Sequence, residues 1–206
     1  LACLAATVAF AVSISRGILA GDRQGTAVDW GLSALAIAGV SIPHDWLGIV
    51  LVAIFSARLN WLPAMGAGPE GSGNWSLAQV PYVILPVLTL AAMPAGIVMR
   101  SVRALVADTL GRDFIVGLTA KGMGRGAIFR HLAKNIAPTT LAVLGVQLGY
   151  LMAGSILVET VFSWPGTGLL LNTAILQRDI PLLQGTIFVL AMFFVGLNLL
   201  VDMLQP

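Results

Sequence analysis

Three groups of residues in this chain have the types and spacing to act on something outside it. The densest is Thr119, Ala120, Lys121, Gly122, Met123, Gly124, Arg125 and Gly126, at the centre of a basic segment, 100–138. That segment holds Arg100, Arg103, Arg112, Lys121, Arg125, Arg130 and Lys134, seven of the chain's eleven Lys and Arg residues. Cations attract an anionic surface, and glycines permit positive φ and close backbone approach. The second group is His44 and Asp45, which follow Pro43 inside an apolar run. Ionisable groups at membrane depth are costly and face the protein interior or a water-filled path. The pair either lines such a path, where it could touch a cationic or metal substrate, or is a satisfied structural pair at a proline kink. Two side chains make a poor metal site without further ligands, so no bound metal is expected. The third group is Glu159 with Trp164, Pro165 and Gly166, at the end of another apolar run. An acidic residue at the end of a span reads as solvated.

Catalytic chemistry is poorly served. There are two His residues, His44 and His131, and neither has an evident nucleophile beside it in sequence. The single Cys3 excludes an internal disulfide and any multi-Cys metal site, and in its apolar run it reads as a small packing residue. No G-x-x-x-x-G-K-[ST] occurs, and GPEGSG at 68–73 lacks the required Lys, so the chain cannot hydrolyse ATP by itself. The scattered Met residues read as packing groups, and Asp202 as structural.

The elements that position these groups are membrane spans. Hydrophobic residues make up 58% of the chain and charged residues 10%, against about 25% charged in a soluble domain. A spanning helix needs about 20 mostly apolar residues. Five windows qualify, 1–19, 32–57, 82–105, 139–158 and 184–204, within one transmembrane domain covering 1–206. Five spans make the connecting segments alternate sides. Segments 16–31 and 100–138 together carry nine Lys and Arg, whereas 58–81 and 159–183 carry two, Arg58 and Arg178. The cation-rich side is cytoplasmic, and the Trp-bearing segments are external. Trp61, Trp75 and Trp164 then lie near the outer boundary, where amphipathic rings are favoured.

Two short helices are predicted within the cytoplasmic segment. Phe114, Ile115 and Leu118 form one apolar face, and Ile128, Phe129, Leu132 and Ile136 form another. Gly122, Gly124 and Gly126 separate them, and Pro138 is expected to start the next span. This is a helix–turn–helix on the membrane surface. An amphipathic loop on anionic lipid accounts for the cations too. The glycine tip favours a protein contact, because lipid does not require close backbone approach. Gly145 and Gly149 form a G-x-x-x-G that permits close packing, within the chain or against a partner.

Several stretches resemble binding-protein-dependent ABC importer permeases of the dipeptide, oligopeptide and nickel branch. TAKG (119–122), FRH (129–131), KN (134–135) and Pro138 resemble the coupling loop. SIPHDWLG (41–48), ARLNWLPAMG (57–66), LPVLTLA (85–91), GRDFI (111–115), ETVFSWPGTG (159–168), RDIPLLQG (178–185) and NLLVDML (198–204) follow the same family in order. Each piece is weak and the ordered set is specific. Val116, Gly117 and Leu118 stand where the generic motif has Glu-Ala-Ala, and His44 and Asp45 also depart from the branch.

The resemblance implies an all-α polytopic membrane protein with a type I ABC importer permease (MetI-like) helical core. It implies a translocation path for peptides or a nickel or metal chelate, in a multi-pass protein of a bacterial or archaeal cytoplasmic (inner) membrane. The partners implied are a second homologous permease, two cytoplasmic ATPase subunits and an extracytoplasmic binding protein, with no nucleic acid. ATP and Mg would sit on the ATPases and no cofactor on this chain. Segment 106–138, centred on Thr119 to Gly126, would couple to the ATPases, and Glu159 and Trp164 to Gly166 would face the binding protein. Since Leu1 starts inside an apolar run, a further N-terminal span and a C-terminal tail are expected beyond the given residues. A secondary transporter and a polytopic membrane enzyme are the competing classes. The first would show internal repeats with charged intramembrane sites, and no convincing repeat is present.

Overall fold

The computed structural model describes residues 1–68 and 77–204. Pro69, Gly71, Ser72, Gly73 and Trp75 of the Pro/Gly-rich segment lie outside the described residues, as does the side chain of Asp202. The helices are α1 (Ala2–Asp22), α2 (Ala27–Ser41), α3 (His44–Leu51), α4 (Val80–Leu110), α5 (Asp113–Ala120), α6 (Arg125–Val161), α7 (Thr167–Gln177) and α8 (Ile180–Leu204). A π-helical stretch, Val52–Arg58, continues α3, and a short 3-10 turn, Leu77–Gln79, leads into α4.

The long helix α4 is the hub, and α1, α2, α3 and α6 all pack on it. The surface that α1 buries is made only of small residues: Ala5, Ala6, Ala9, Ser13, Gly17, Ala20 and Gly21. A Cβ built at Gly17 would lie 2.9 Å from Val102 Cβ, and one at Gly21 2.6 Å from Val106 Cβ. Lipid supplies no hydrophobic drive between spans, so association depends on such close backbone approach. Val98, Val102 and Val106 of α4 then meet Leu132 and Ile136 of α6 in a buried cluster. Cys3, expected to pack, is exposed on α1. Pro86 and Pro94 sit inside α4. Prolines are tolerated within spans because neighbouring helices and local adjustments re-satisfy the freed backbone groups.

Four of the expected windows fall within single helices, α1, α4, α6 and α8. The window 32–57 does not. It breaks at Ile42-Pro43 into two limbs, Ala27–Ser41 and His44–Arg58, whose axes differ by 101°. Proline disfavours the α region for the residue before it, and Ile42 has ψ 121°. The described residues therefore hold four helices long and apolar enough to span, or five spans if the bent pair is one.

One further expectation changes, and one left open is answered. Pro138 does not start a helix but lies inside α6, which runs unbroken for 37 residues. Pro138 deprives the Lys134 carbonyl of its helical donor. Leu132, Ile136 and Thr140 on either side of it are buried, while Pro138 itself is exposed. At 1.5 Å per residue α6 is about 55 Å long, well beyond a hydrocarbon core of about 30 Å. The glycines of G-x-x-x-G face within the chain. A Cβ at Gly145 would lie 2.6 Å from Val201 Cγ1 of α8, and one at Gly149 2.7 Å from Phe194 Cε2.

Candidate functional site: an exposed glycine turn and two polar clusters

The turn Lys121–Gly124 joins α5 to α6. Gly122 has φ +72°, the left-handed conformation that ends helices at low cost only for glycine. Its N–H donates to Thr119 O at 2.9 Å, and the Met123 N–H to Leu118 O at 3.2 Å, which closes the end of α5. Gly124, with φ −67° and ψ 156°, is the N-cap of α6, and its carbonyl accepts from Ala127 and Ile128. Thr119, Ala120, Lys121, Gly122, Gly124, Arg125 and Gly126 are all exposed, and Met123 is half-buried. A Cβ at Gly122, Gly124 or Gly126 would meet nothing within 4 Å. Only Gly122 is required by backbone conformation. Among the described residues, no packing calls for glycine at Gly124 or Gly126.

Behind the turn, α4 is tied to α2 by a buried ion pair that the sequence reading did not pick out. Arg103 Nη2 donates to Asp29 Oδ2 at 2.7 Å and Nε to Oδ1 at 3.0 Å. Asp29 also accepts from the Gly25 N–H at 3.0 Å and from Ser33 Oγ at 3.3 Å. Its side chain is 5% exposed, whereas that of Arg103 is 32% exposed. The signal was present: opposite charges at the same-side ends of two neighbouring spans. Their 74-residue separation hid it.

His44 and Asp45 lie at the break between α2 and α3, in the first turn of α3. They are not in the middle of a continuous span. Asp45 there is favoured by the positive end of the helix dipole. His44 reaches across to α6, where Tyr150 Oη lies 3.4 Å from its Nδ1 and the rings meet edge to face at 6.3 Å. Its Nε2 is 3.2 Å from Asp45 Oδ1. That approach is off the N–H direction, so Nε2 lacks a hydrogen bond, as does the buried Oε1 of Gln147 one turn before Tyr150. Sequence reasoning found the His-Asp pair but not Tyr150, which only the packing of α3 on α6 brings near. No group of three or more His, Cys, Asp or Glu placed to hold a metal occurs among the described residues.

Glu159 is buried near the C-terminal end of α6 and is not solvated. One carboxylate oxygen accepts the Gly168 N–H at 2.7 Å, at the N-terminus of α7. A Cβ at Gly166 would overlap that carboxylate, so glycine there makes the approach possible. Trp164 is buried too, and its N–H donates to Glu159 O at 2.8 Å. The Gly66 N–H donates to Phe162 O at 2.9 Å, tying the segment after Arg58 to the same corner. Glu159 and Trp164 thus hold this hairpin from inside, and Ser163, Pro165 and Thr167 form its exposed tip.

Comparison with known proteins agrees with this architecture. The family model described as binding-protein-dependent transport system inner membrane component matches residues 13–206. A dipeptide transport system permease protein of Alkalihalophilus pseudofirmus is 34% identical over 95% of this chain and 65% of its own length. The protein of the same description from Escherichia coli K12 is 33% identical over 95% of this chain and 64% of its own length. The chain thus spans just under two thirds of the length of these relatives.

Proposed function

The chain belongs to the binding-protein-dependent transport system inner membrane components, multi-pass permeases of the ABC peptide branch, and from that premise we propose that it forms half of an ATP-driven import path. A second homologous permease completes the path, and an extracytoplasmic binding protein delivers the substrate. Two cytoplasmic ATPases, carrying ATP and Mg, seat the turn Thr119–Gly126. Peptides are the proposed cargo in preference to nickel, since the two relatives are dipeptide transport system permeases. The proposed membrane is bacterial, as the relatives are.

One observation carries this reading. The exposed glycine turn is the start of α6, and α6 runs without a break to the Glu159 corner at its other end. A rigid rod of that length transmits displacement at one end to the other. Glycines that no internal contact demands are explained by a partner surface that approaches the backbone. Lys121, Arg125 and the uncapped N–H groups of α6 present positive charge, so the ATPase groove should have an acidic rim.

Gly124→Arg tests the coupling role. The position has ordinary φ and open space, so the fold tolerates the side chain while the partner surface does not. Uptake should fall at least tenfold, with the variant still inserted at wild-type level. Co-purification of two ATPases and ATP-dependent uptake by the unmodified protein should be seen in the same preparation. Full uptake with full substrate-stimulated ATPase activity in Gly124→Arg would refute the coupling role. Uptake that needs no ATP would instead favour a secondary transporter.

A further inference from the structure

Asp45 stands in the first turn of α3 with its side chain 51% exposed. Among the described residues its carboxylate accepts no hydrogen bond, and the His44 Nε2 that lies 3.2 Å from Oδ1 is off the N–H direction. Ile49, one turn on along the same face of α3, is 60% exposed, and the neighbouring Trp46 is 56% exposed. The carboxylate therefore opens onto an apolar surface. Its depth follows from the helices that meet there. Tyr150, which contacts His44, lies nine residues before Glu159 on α6, about 14 Å of helix rise. In the other direction, α2 runs from Asp29 to Ser41 before the break, about 18 Å of rise. The cluster is thus well inside both the Glu159 corner and the Asp29–Arg103 pair. A carboxylate at such depth is costly against lipid and faces a water-filled path or a partner. The His44 ring that backs it is held from α6, with Tyr150 Oη 3.4 Å from Nδ1 and the rings edge to face.

We infer that Asp45 is the contact for the terminal ammonium of a peptide on the import path, with His44 and Tyr150 as the residues that position it. The inference rests on the peptide-permease reading above and adds which end of the cargo this chain recognises. An ammonium presents three N–H donors and no acceptor, so it matches a carboxylate whose oxygens are unbonded. Such charge-assisted hydrogen bonds are roughly twice as strong as neutral ones. The carboxyl end of a peptide is repelled by the same group. A metal ion is a poorer occupant, because no group of three or more His, Cys, Asp or Glu placed to hold one occurs among the described residues. A single, half-exposed carboxylate holds a cation weakly. That suits a path, where binding must be favourable enough to admit the cargo and weak enough to release it. His44, braced by Tyr150, lies against one oxygen and fixes the direction in which the rest of the carboxylate faces.

The test uses the full-length permease in its assembled transporter, reconstituted in nanodiscs without the binding protein. Two diazirine dipeptides serve as probes, glycyl-photoleucine and its N-acetyl form, and mass spectrometry maps the residues labelled on illumination. The free-amine probe should label the α3–α6 contact about fivefold more than the acetyl probe, the upper range for an exposed ion pair. Asp45→Asn should erase that preference, and Asp45→Glu should retain it. His44→Ala and Tyr150→Phe should each reduce the preference, whereas a merely structural role would lower labelling by both probes alike. Equal labelling by the two probes in the wild type, or an unchanged preference in Asp45→Asn, would overturn the site. So would loss of the second permease from Asp45→Asn, which would assign the carboxylate to the subunit contact. Uptake that needs no ATP would sink the import reading instead, and the amine preference would survive it.

Discussion

Removing Arg103 should cost more than removing Asp29, although each deletion breaks the same ion pair. The reason is the unequal burial of the two partners. Arg103→Ala leaves the Asp29 carboxylate, with a side chain 5% exposed, facing only the Gly25 N–H and Ser33 Oγ. A buried charge stripped of its partner costs about 3–5 kcal/mol. Asp29→Ala leaves a guanidinium that is 32% exposed and can extend toward water along its flexible stem. That loss should be about 1.5–3 kcal/mol, the range for hydrogen bonds to charged groups. The double variant removes both charges together, so it should cost less than the sum of the singles by at least about 1.5 kcal/mol. Equilibrium unfolding of the purified protein in one fixed detergent, followed by helical circular dichroism, measures all three. Equal losses in the two single variants, or an additive double variant, would refute the burial argument and reduce the pair to a surface contact.

Glu159→Ala should destabilise by about 1–3 kcal/mol because the Gly168 N–H loses its acceptor in a buried corner, whereas Glu159→Gln keeps an oxygen there and should lose less; the same unfolding assay compares them. Gly145→Leu should loosen α8 and lower the unfolding midpoint, since Val201 occupies the space, while Gly196→Ala, with nothing within 4 Å, should be neutral or gain up to about 1 kcal/mol of helix propensity. In a Cys3→Ala background, Thr167→Cys should react with an impermeant thiol reagent on intact cells and Thr119→Cys should not; labelling of Thr119→Cys would invert the orientation. If His44 and Asp45 line the path, His44→Ala and Asp45→Asn should reduce uptake at unchanged thermal stability; lowered stability with normal uptake per molecule would make them a structural pair with Tyr150.

The class of this protein was legible in its sequence because it depends on additive quantities. Hydropathy summed over about 20 residues marks a span, and cations summed by side mark the cytoplasm. The glycine turn was legible for a related reason: Gly122, Gly124 and Gly126 punctuate two local apolar periodicities, and both sides of a turn lie within reach of sequence spacing. Proline was less readable, because its effect depends on surroundings. Pro43 stands at a 101° break whereas Pro138 lies within the unbroken α6, so the same residue type ends one helix and not the other. The Asp29–Arg103 pair and the Tyr150–His44 contact join residues far apart in the chain. Their geometry follows from how closely Gly17 and Gly21 let α1 approach α4 and from how α3 lies across α6. Glu159 shows the division most plainly. Its charge and its place at the end of a span were given by the sequence, yet burial turned it from a solvated acid into the acceptor that holds α7. Burial is a property of neighbours, and only the folded arrangement supplies them.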